Sequence, residues 1–305
     1  MAKTVLITGG SGLIGKHLSS LLLDSGYQVN HLSRKASQSI NNVKVFKWDI
    51  ESGEIDEQCI DGVDAVVHLA GEGIASKPWR NSQKEKLIKS RVDSINLLYS
   101  LLKSRPNHQV KTIISASGVG YYGNRGDELL NESSSPGTDF MAHICVEWEK
   151  AADEGRHLGL RVSKLRTGVV LTDDGGALPQ IAGPIKAGFG APLGKGTQWM
   201  PWIHLDDLIS LYKNALENEN MEGVFNAASP NPVTNEELTK AIAQQLNKPL
   251  WLPKVPEIFL RLALGEMSTM LLNSTKTTSD RVLEAGFKFT IETIQQALKN
   301  IYAGQ

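Results

Sequence analysis

An apolar run, Val5-Leu6-Ile7, leads into Thr8-Gly9-Gly10-Ser11-Gly12-Leu13-Ile14-Gly15 and then into a helical pattern carrying Leu18, Leu21 and Leu22. A strand that turns through spaced glycines into an amphipathic helix is the setting of a dinucleotide-binding turn. Gly9 permits the tight turn, Gly12 lets a pyrophosphate approach the backbone, and Gly15 lets the helix pack closely on the sheet. Phosphates would then meet free amide N–H groups at the positive end of the helix. The expected cofactor contacts on this turn are Gly9, Gly10, Ser11, Gly12, Leu13, Ile14 and Gly15. A rival motif starts in the same place, because Gly10 to Lys16 also fits the opening of a P-loop. That motif requires Ser or Thr next to hold magnesium, and residue 17 is His, so a nucleoside triphosphatase is set aside.

Strand and helix patterns alternate from there. Strands are expected near 27–32, 43–48, 65–69, 112–116 and 160–165, with helices at about 82–103 and 140–157. The first of these helices carries Leu87, Ile88, Ile95, Leu98 and Leu102 on one face. Repeated strand-helix-strand units predict an α/β fold: a Rossmann-like, doubly wound parallel sheet. A polar loop is expected over 33–42. Glycine and proline are concentrated over 175–201, which reads as loops and short elements building a substrate lid at about 175–205. A brief return to the sheet follows near 224–226. From Thr234, which opens a helix with a capping-box spacing, to a last helix at 291–302 the pattern is mainly helical. The expected division is therefore a nucleotide-binding domain over 1–227 and a smaller, mainly helical substrate domain over 228–305.

A chain of 305 residues with 41% hydrophobic content can bury a large core, and its formal net charge of -1 gives no electrostatic reason to propose nucleic acid or an anionic membrane as partner. No apolar stretch reaches the ~20 residues of a membrane helix, and the first strand begins at once without a signal peptide, so a cytoplasmic protein with a small-molecule substrate is expected. Cys59 and Cys145 form no metal-ligand pattern and read as free thiols; no metal site is expected.

The end of the second strand chooses between the two nicotinamide dinucleotides. An NAD site usually carries Asp or Glu there for the adenosine ribose hydroxyls. Here the segment is His31-Leu32-Ser33-Arg34-Lys35, with no carboxylate; Arg34 is placed to pair with a 2'-phosphate and Ser33 to add a second donor. NADP(H) is the expected cofactor.

These features, taken with Asp49-Ile50 after the third strand, His68-Leu69-Ala70-Gly71 after the fourth, Ser115-Ala116-Ser117 with Tyr121-Tyr122-Gly123 after the fifth, Pro201-Trp202-Ile203-His204-Leu205-Asp206-Asp207 and Gly223-Val224-Phe225-Asn226-Ala227, resemble the extended short-chain dehydrogenase/reductase superfamily over nearly the whole chain. The closer resemblance is to its atypical, epimerase-like branch with a distinct C-terminal domain. It implies that Asp49 and Ile50 contact adenine, that Leu69, Ala70 and Gly71 lie along the cofactor, and that the protein is an epimerase-like oxidoreductase. Ordinary members polarise a carbonyl with Ser, transfer its proton with Tyr, and lower that pKa with a Lys four residues on. Alignment through Ser117 and Glu149 puts Met141 and Cys145 at the Tyr and Lys positions, and Arg91 where many members have Asn.

Ser117 is therefore expected to hold a carbonyl, with Tyr121, Tyr122 or Cys145, the last through a lowered thiol pKa, supplying the proton. His143 and His204 are weaker candidates. Arg91, Arg80 and Trp79 would line a pocket for an anionic or planar substrate. Loss of the Tyr/Lys pair leaves a second class open, a non-catalytic protein that senses NADPH, and ranks true sugar-nucleotide epimerisation lower. A homodimer through the helices at 82–103 and 140–157 is a further expectation.

Overall fold

The computed structural model describes residues 3–35 and 42–303; residues 36–41, most of the loop expected over 33–42, lie outside the described residues. The first strand, β1 (Thr4–Thr8), is buried along its whole length, as a central parallel strand covered on both faces must be. In chain order there follow α1 (Leu13–Asp24), β2 (Gln28–Ser33), β3 (Val43–Asp49), β4 (Glu54–Ile55), β5 (Ala65–His68), α2 (Asn81–Ser104), β6 (Thr112–Gly118), β7 (Leu129–Leu130), α3 (Phe140–Asp153), β8 (Arg161–Thr167), β9 (Val169–Leu171), α4 (Ala177–Lys186), β10 (Trp199–Met200), β11 (Trp202–His204), α5 (Leu205–Glu217), β12 (Gly223–Ala227), α6 (Asn235–Gln245) and α7 (Glu257–Leu264), with a closing helix at Ile294–Ile301.

The main sheet has the order β12-β8-β6-β5-β1-β2-β3-β4, parallel throughout except for the short β3–β4 pair. The chain winds outward from β1 through β2 and β3, then returns to wind the other way from β5. The reversal leaves a crevice at the carboxyl ends of β1 and β5, the place where an open α/β sheet receives ligands. One face is covered by α1 and α5, with Leu18, Leu22, Leu208, Leu211 and Tyr212 in the core. On the other face Ile95, Leu98 and Leu102 of α2 and Ala151 and Ala152 of α3 pack against Leu6, Val66, Ile113 and Val162.

Two helices depart from the sequence reading. The glycine- and proline-rich stretch contains a ten-residue helix, α4, because Leu178, Ala182 and Ile185 recur at helical spacing and are buried; Pro184 is tolerated within its last turn. α5, unanticipated, starts at His204, whose side chain accepts from the Asp206 N–H, and buries Leu205, Leu208, Leu211, Tyr212 and Ala215. α6 begins with the expected capping box, Thr234 with Glu237. A third core joins α4 and α6 to the closing helix around Trp202. The C-terminal part is not packed by itself, however: Val282, Phe287 and Phe289 return to the core under α1 and α5. Among the described residues no helix is long and apolar enough to cross a membrane.

Candidate active site

The glycine turn is closed by the Gly12 N–H donating to the Gly9 carbonyl at 3.0 Å. Gly9 has φ +71°, and a Cβ there would stand 2.9 Å from the Leu69 carbonyl. At Gly15 a Cβ would lie 2.5 Å from the Gly9 oxygen and 2.6 Å from the Gly10 Cα. The helix therefore packs against its own turn, which only glycine permits. Gly10 has a partner that spacing did not reveal: a Cβ at that position would stand 2.5 Å from the His31 ring of β2. His31 is held there by Ser19 of α1 at 2.7 Å, and its burial lowers its pKa. α1 has neither a capping side chain nor an acidic residue in its first turn, so its leading N–H groups face the crevice uncompensated. The cradle thus fits a dinucleotide pyrophosphate.

Thr8 ties the neighbouring strand end into this turn, its Oγ1 accepting from the Leu69 and Ala70 N–H groups at 3.1 Å each. Gly71, which follows, is exposed. Ser33 ends β2, its hydroxyl accepting from the Lys35 N–H at 3.3 Å, and Arg34 is exposed with no partner among the described residues. At the end of β3 the Asp49 carboxylate accepts from the Glu51 and Ser52 N–H groups, and half-buried Ile50 packs on the core beneath α2.

At the end of β6 the expected proton-transfer machinery is replaced by apolar contact. A Cβ on Gly120 would meet Met141 at 2.9 Å, and one on Gly118 would meet the Cys145 sulfur at 3.6 Å. Cys145 is buried, and its burial, followed by the nearby Glu149 charge, pushes the thiol up to about 12. The lowered thiol pKa expected of it is thus reversed in direction, because the desolvated thiolate is penalised more than Arg91 and Arg166 favour it.

Ser117 is 4% exposed, and its hydroxyl donates to Glu149 Oε1 at 2.7 Å. The proton expected to meet a carbonyl is given to a carboxylate instead. Arg166 grips the same carboxylate with two bonds, Nε to Oε1 at 2.8 Å and Nη2 to Oε2 at 2.9 Å. Its Nη1 donates at 3.0 Å to the Tyr122 hydroxyl, which in turn donates to Asn226 at 2.7 Å. Tyr122 is fully buried and burial pushes it up to about 12, so it is a member of this network and not an open acid. Tyr121 lies with its ring centroid 3.4 Å from the Arg166 guanidinium carbon and lines a groove on the flank of the sheet with Lys164 and Glu149. Lys164 is held by Asp153 at 2.5 Å. Sequence reasoning used Glu149 only as an alignment anchor and passed over Arg166 and Lys164. The available signal was Lys164 and Arg166, two of the three cations in Arg161-Val162-Ser163-Lys164-Leu165-Arg166, a strand otherwise suited to burial.

The substrate pocket expected around Arg91, Arg80 and Trp79 is not assembled as such. Trp79 is buried, donating from its indole to the Ile74 carbonyl at 2.8 Å and meeting Phe140 edge-on. Arg80 is the exposed residue preceding α2, and Arg91 is buried beneath Gly71. His143 is exposed, while His204 caps α5 through Nδ1.

Comparison with known proteins agrees with this geometry. The model of the NAD dependent epimerase/dehydratase family matches residues 5–228, and that of a domain of unknown function (DUF1731) matches residues 255–301. The chain is 38% identical over 295 residues to the epimerase family protein Mb2239 of Mycobacterium bovis, covering 96% of each. It is 36% identical to the chloroplastic epimerase family protein SDR39U1 homolog of Arabidopsis thaliana, covering 98% of this chain and 86% of that one. The crystal structure of human epimerase family protein SDR39U1 (isoform2) with NADPH superimposes with a TM-score of 0.87 at 30% identity, over 99% of this chain and 100% of that chain.

Proposed function

Because the chain belongs to the NAD dependent epimerase/dehydratase family, we propose that it binds NADP(H) on the turn at residues 9–15 and moves a hydride between the nicotinamide and a carbonyl or alcohol carbon of a small-molecule substrate. The observation that carries this reading is the glycine cradle: a Cβ at any of Gly9, Gly10, Gly12 or Gly15 would meet backbone or the His31 ring. When bound, the cofactor supplies the hydride; the chain binds, orients and shields. The N–H groups of the first turn of α1 would hold the pyrophosphate, and Leu69, Ala70 and Gly71 would lie along the cofactor. Arg34, exposed at the end of a carboxylate-free β2, takes the 2'-phosphate with Ser33 beside it. The NADPH in the human relative's crystal supports the same choice.

Two outcomes check this. Arg34→Ala should weaken NADPH binding by on the order of ten- to a hundredfold, the scale of a hydrogen bond to a charged group, and leave NADH binding almost unchanged in fluorescence titrations. Equal losses for both would remove Arg34 from the site. With NADPH deuterated at the transferable position and a cell-metabolite extract, mass spectrometry should find deuterium in one product.

A second reading has its own observation: Met141 and Cys145 stand where ordinary relatives carry their proton-transfer pair, and Ser117 gives its proton to Glu149. A protein that binds NADPH only to signal its level fits these facts. It predicts no label transfer, and a partner retained differently by the apo and NADPH-bound forms in pull-downs.

A further inference from the structure

We propose that Arg91 is the electrophile of this site, a buried guanidinium left without a counter-charge so that the oxygen of a bound carbonyl, as it becomes an alkoxide, provides one. The proposal rests on the hydride-transfer reading above and assigns the group that polarises its substrate.

Arg91 projects from α2 to a point directly beneath Gly71, where a Cβ would lie 3.0 Å from its Cζ. It also reaches α3, with Cζ 4.9 Å from the centroid of the Trp148 ring. The guanidinium therefore fills the space between the loop after β5 and the face of α3 that carries Cys145. It is 8% exposed. Nη1 donates to the Leu87 carbonyl at 2.8 Å and to the Ser90 hydroxyl at 3.4 Å, and Nη2 to the Glu72 carbonyl at 3.0 Å, while the Nε–H is buried without a partner.

Among the described residues no carboxylate lies within ion-pair distance of it; the Glu72 side chain attracts it only from farther off. The nearer titratable groups are neutral. Burial and the Arg91 charge push His68 down to about 3, and burial keeps the Cys145 thiol protonated. A guanidinium held by two carbonyls and a hydroxyl, with no carboxylate beside it, is costly to bury, and burial lowers its pKa. A mere strut would be expected to have its donors and charge satisfied.

The donor count selects the ligand. A guanidinium has five N–H groups, and three of them are taken here, by the Leu87 and Glu72 carbonyls and the Ser90 hydroxyl. The Nε–H and one Nη2 N–H remain, and with the full charge behind them they suit an oxyanion. As the carbonyl carbon gains the hydride, the C=O electron pair passes to that oxygen. The Arg91 charge holds the alkoxide until solvent water gives it a proton, leaving hydroxide to the buffer. The guanidinium keeps its own protons, so neither a tyrosine nor a lysine is required at positions 141 and 145.

The test is the sign of a stability change, read by thermal unfolding at low salt. Arg91→Met should raise the Tm of the ligand-free protein by roughly 2–5 °C, because it removes an uncompensated buried charge of similar shape. With NADPH present, about 50 mM sodium formate should raise the Tm of the wild type above that in sodium chloride of equal ionic strength. This response should vanish in Arg91→Met and persist in part in Arg91→Lys. A fall in Tm for Arg91→Met, a wild type indifferent to formate, or a formate response that survives the substitution makes Arg91 a strut and overturns the proposal. NADPH affinity of the wild type, measured on the same samples, separates this from failure of the cofactor reading; if NADPH does not bind, the same comparisons are made without it.

Discussion

Gly15→Ala should abolish NADPH binding, with affinity falling by about a hundredfold or more, and should lower Tm by roughly 2–5 °C. Within an ordinary helix the same substitution is favourable by about 1 kcal/mol, since alanine loses less conformational freedom than glycine. Here the new Cβ would stand 2.5 Å from the Gly9 carbonyl oxygen and 2.6 Å from the Gly10 Cα. Those are backbone atoms of a turn that Leu69 and His31 hold on its other sides. Overpacking of this kind costs typically about 1–3 kcal/mol, and relief requires α1 to move off the turn whose N–H groups are proposed to meet the phosphates. Fluorescence titration with NADPH and a thermal melt on the same sample check both effects. Retention of tight binding would mean that the turn is softer than its contacts indicate.

Glu149→Ala should cost about 3–5 kcal/mol of unfolding free energy, the scale of breaking a buried ion pair from one side. The substitution strands Arg166, 2% exposed, which loses both of its carboxylate bonds, and weakens the compensation of Lys164, 4.0 Å from Glu149. It also leaves Ser117 without its acceptor. The double substitution Glu149→Met with Arg166→Met should recover most of the loss, because replacing both charges removes their desolvation together. Urea unfolding of the wild type, both single variants and the double variant measures the coupling. A double variant as unstable as Glu149→Ala would show that the remainder of the network, Tyr122 with Asn226, depends on Arg166 for more than charge balance.

The glycine turn of the candidate site was legible because its determinants are local. Gly9, Gly12 and Gly15 stand at spacings that the turn itself imposes, and the buried parallel strands announce themselves as apolar runs since both faces are covered. The helix α5 was equally readable in the spacing of Leu205, Leu208, Leu211 and Tyr212. The reacting half was not legible. Ser117, Tyr121, Tyr122, Cys145 and Arg91 were each placed near the crevice by alignment, but alignment does not say toward what a side chain turns. Ser117 turns to Glu149, Tyr121 to the flank of the sheet, and Cys145 into the core.

What the sequence by itself determined is the backbone: a glycine turn between a buried strand and an uncapped helix, the alternation that winds a parallel sheet, and the missing carboxylate at the end of β2. These follow from sterics and periodicity within a few residues of chain. What only the tertiary structure decided is which buried charges are answered and which are not. Arg166 and Glu149 are 17 residues apart on different elements and meet only when α3 lies across β8. Arg91 reaches the loop after β5, where it meets the Glu72 carbonyl and no carboxylate. The free energy of a buried charge is set by every group within a few ångströms, and those neighbours exist only once the chain has folded.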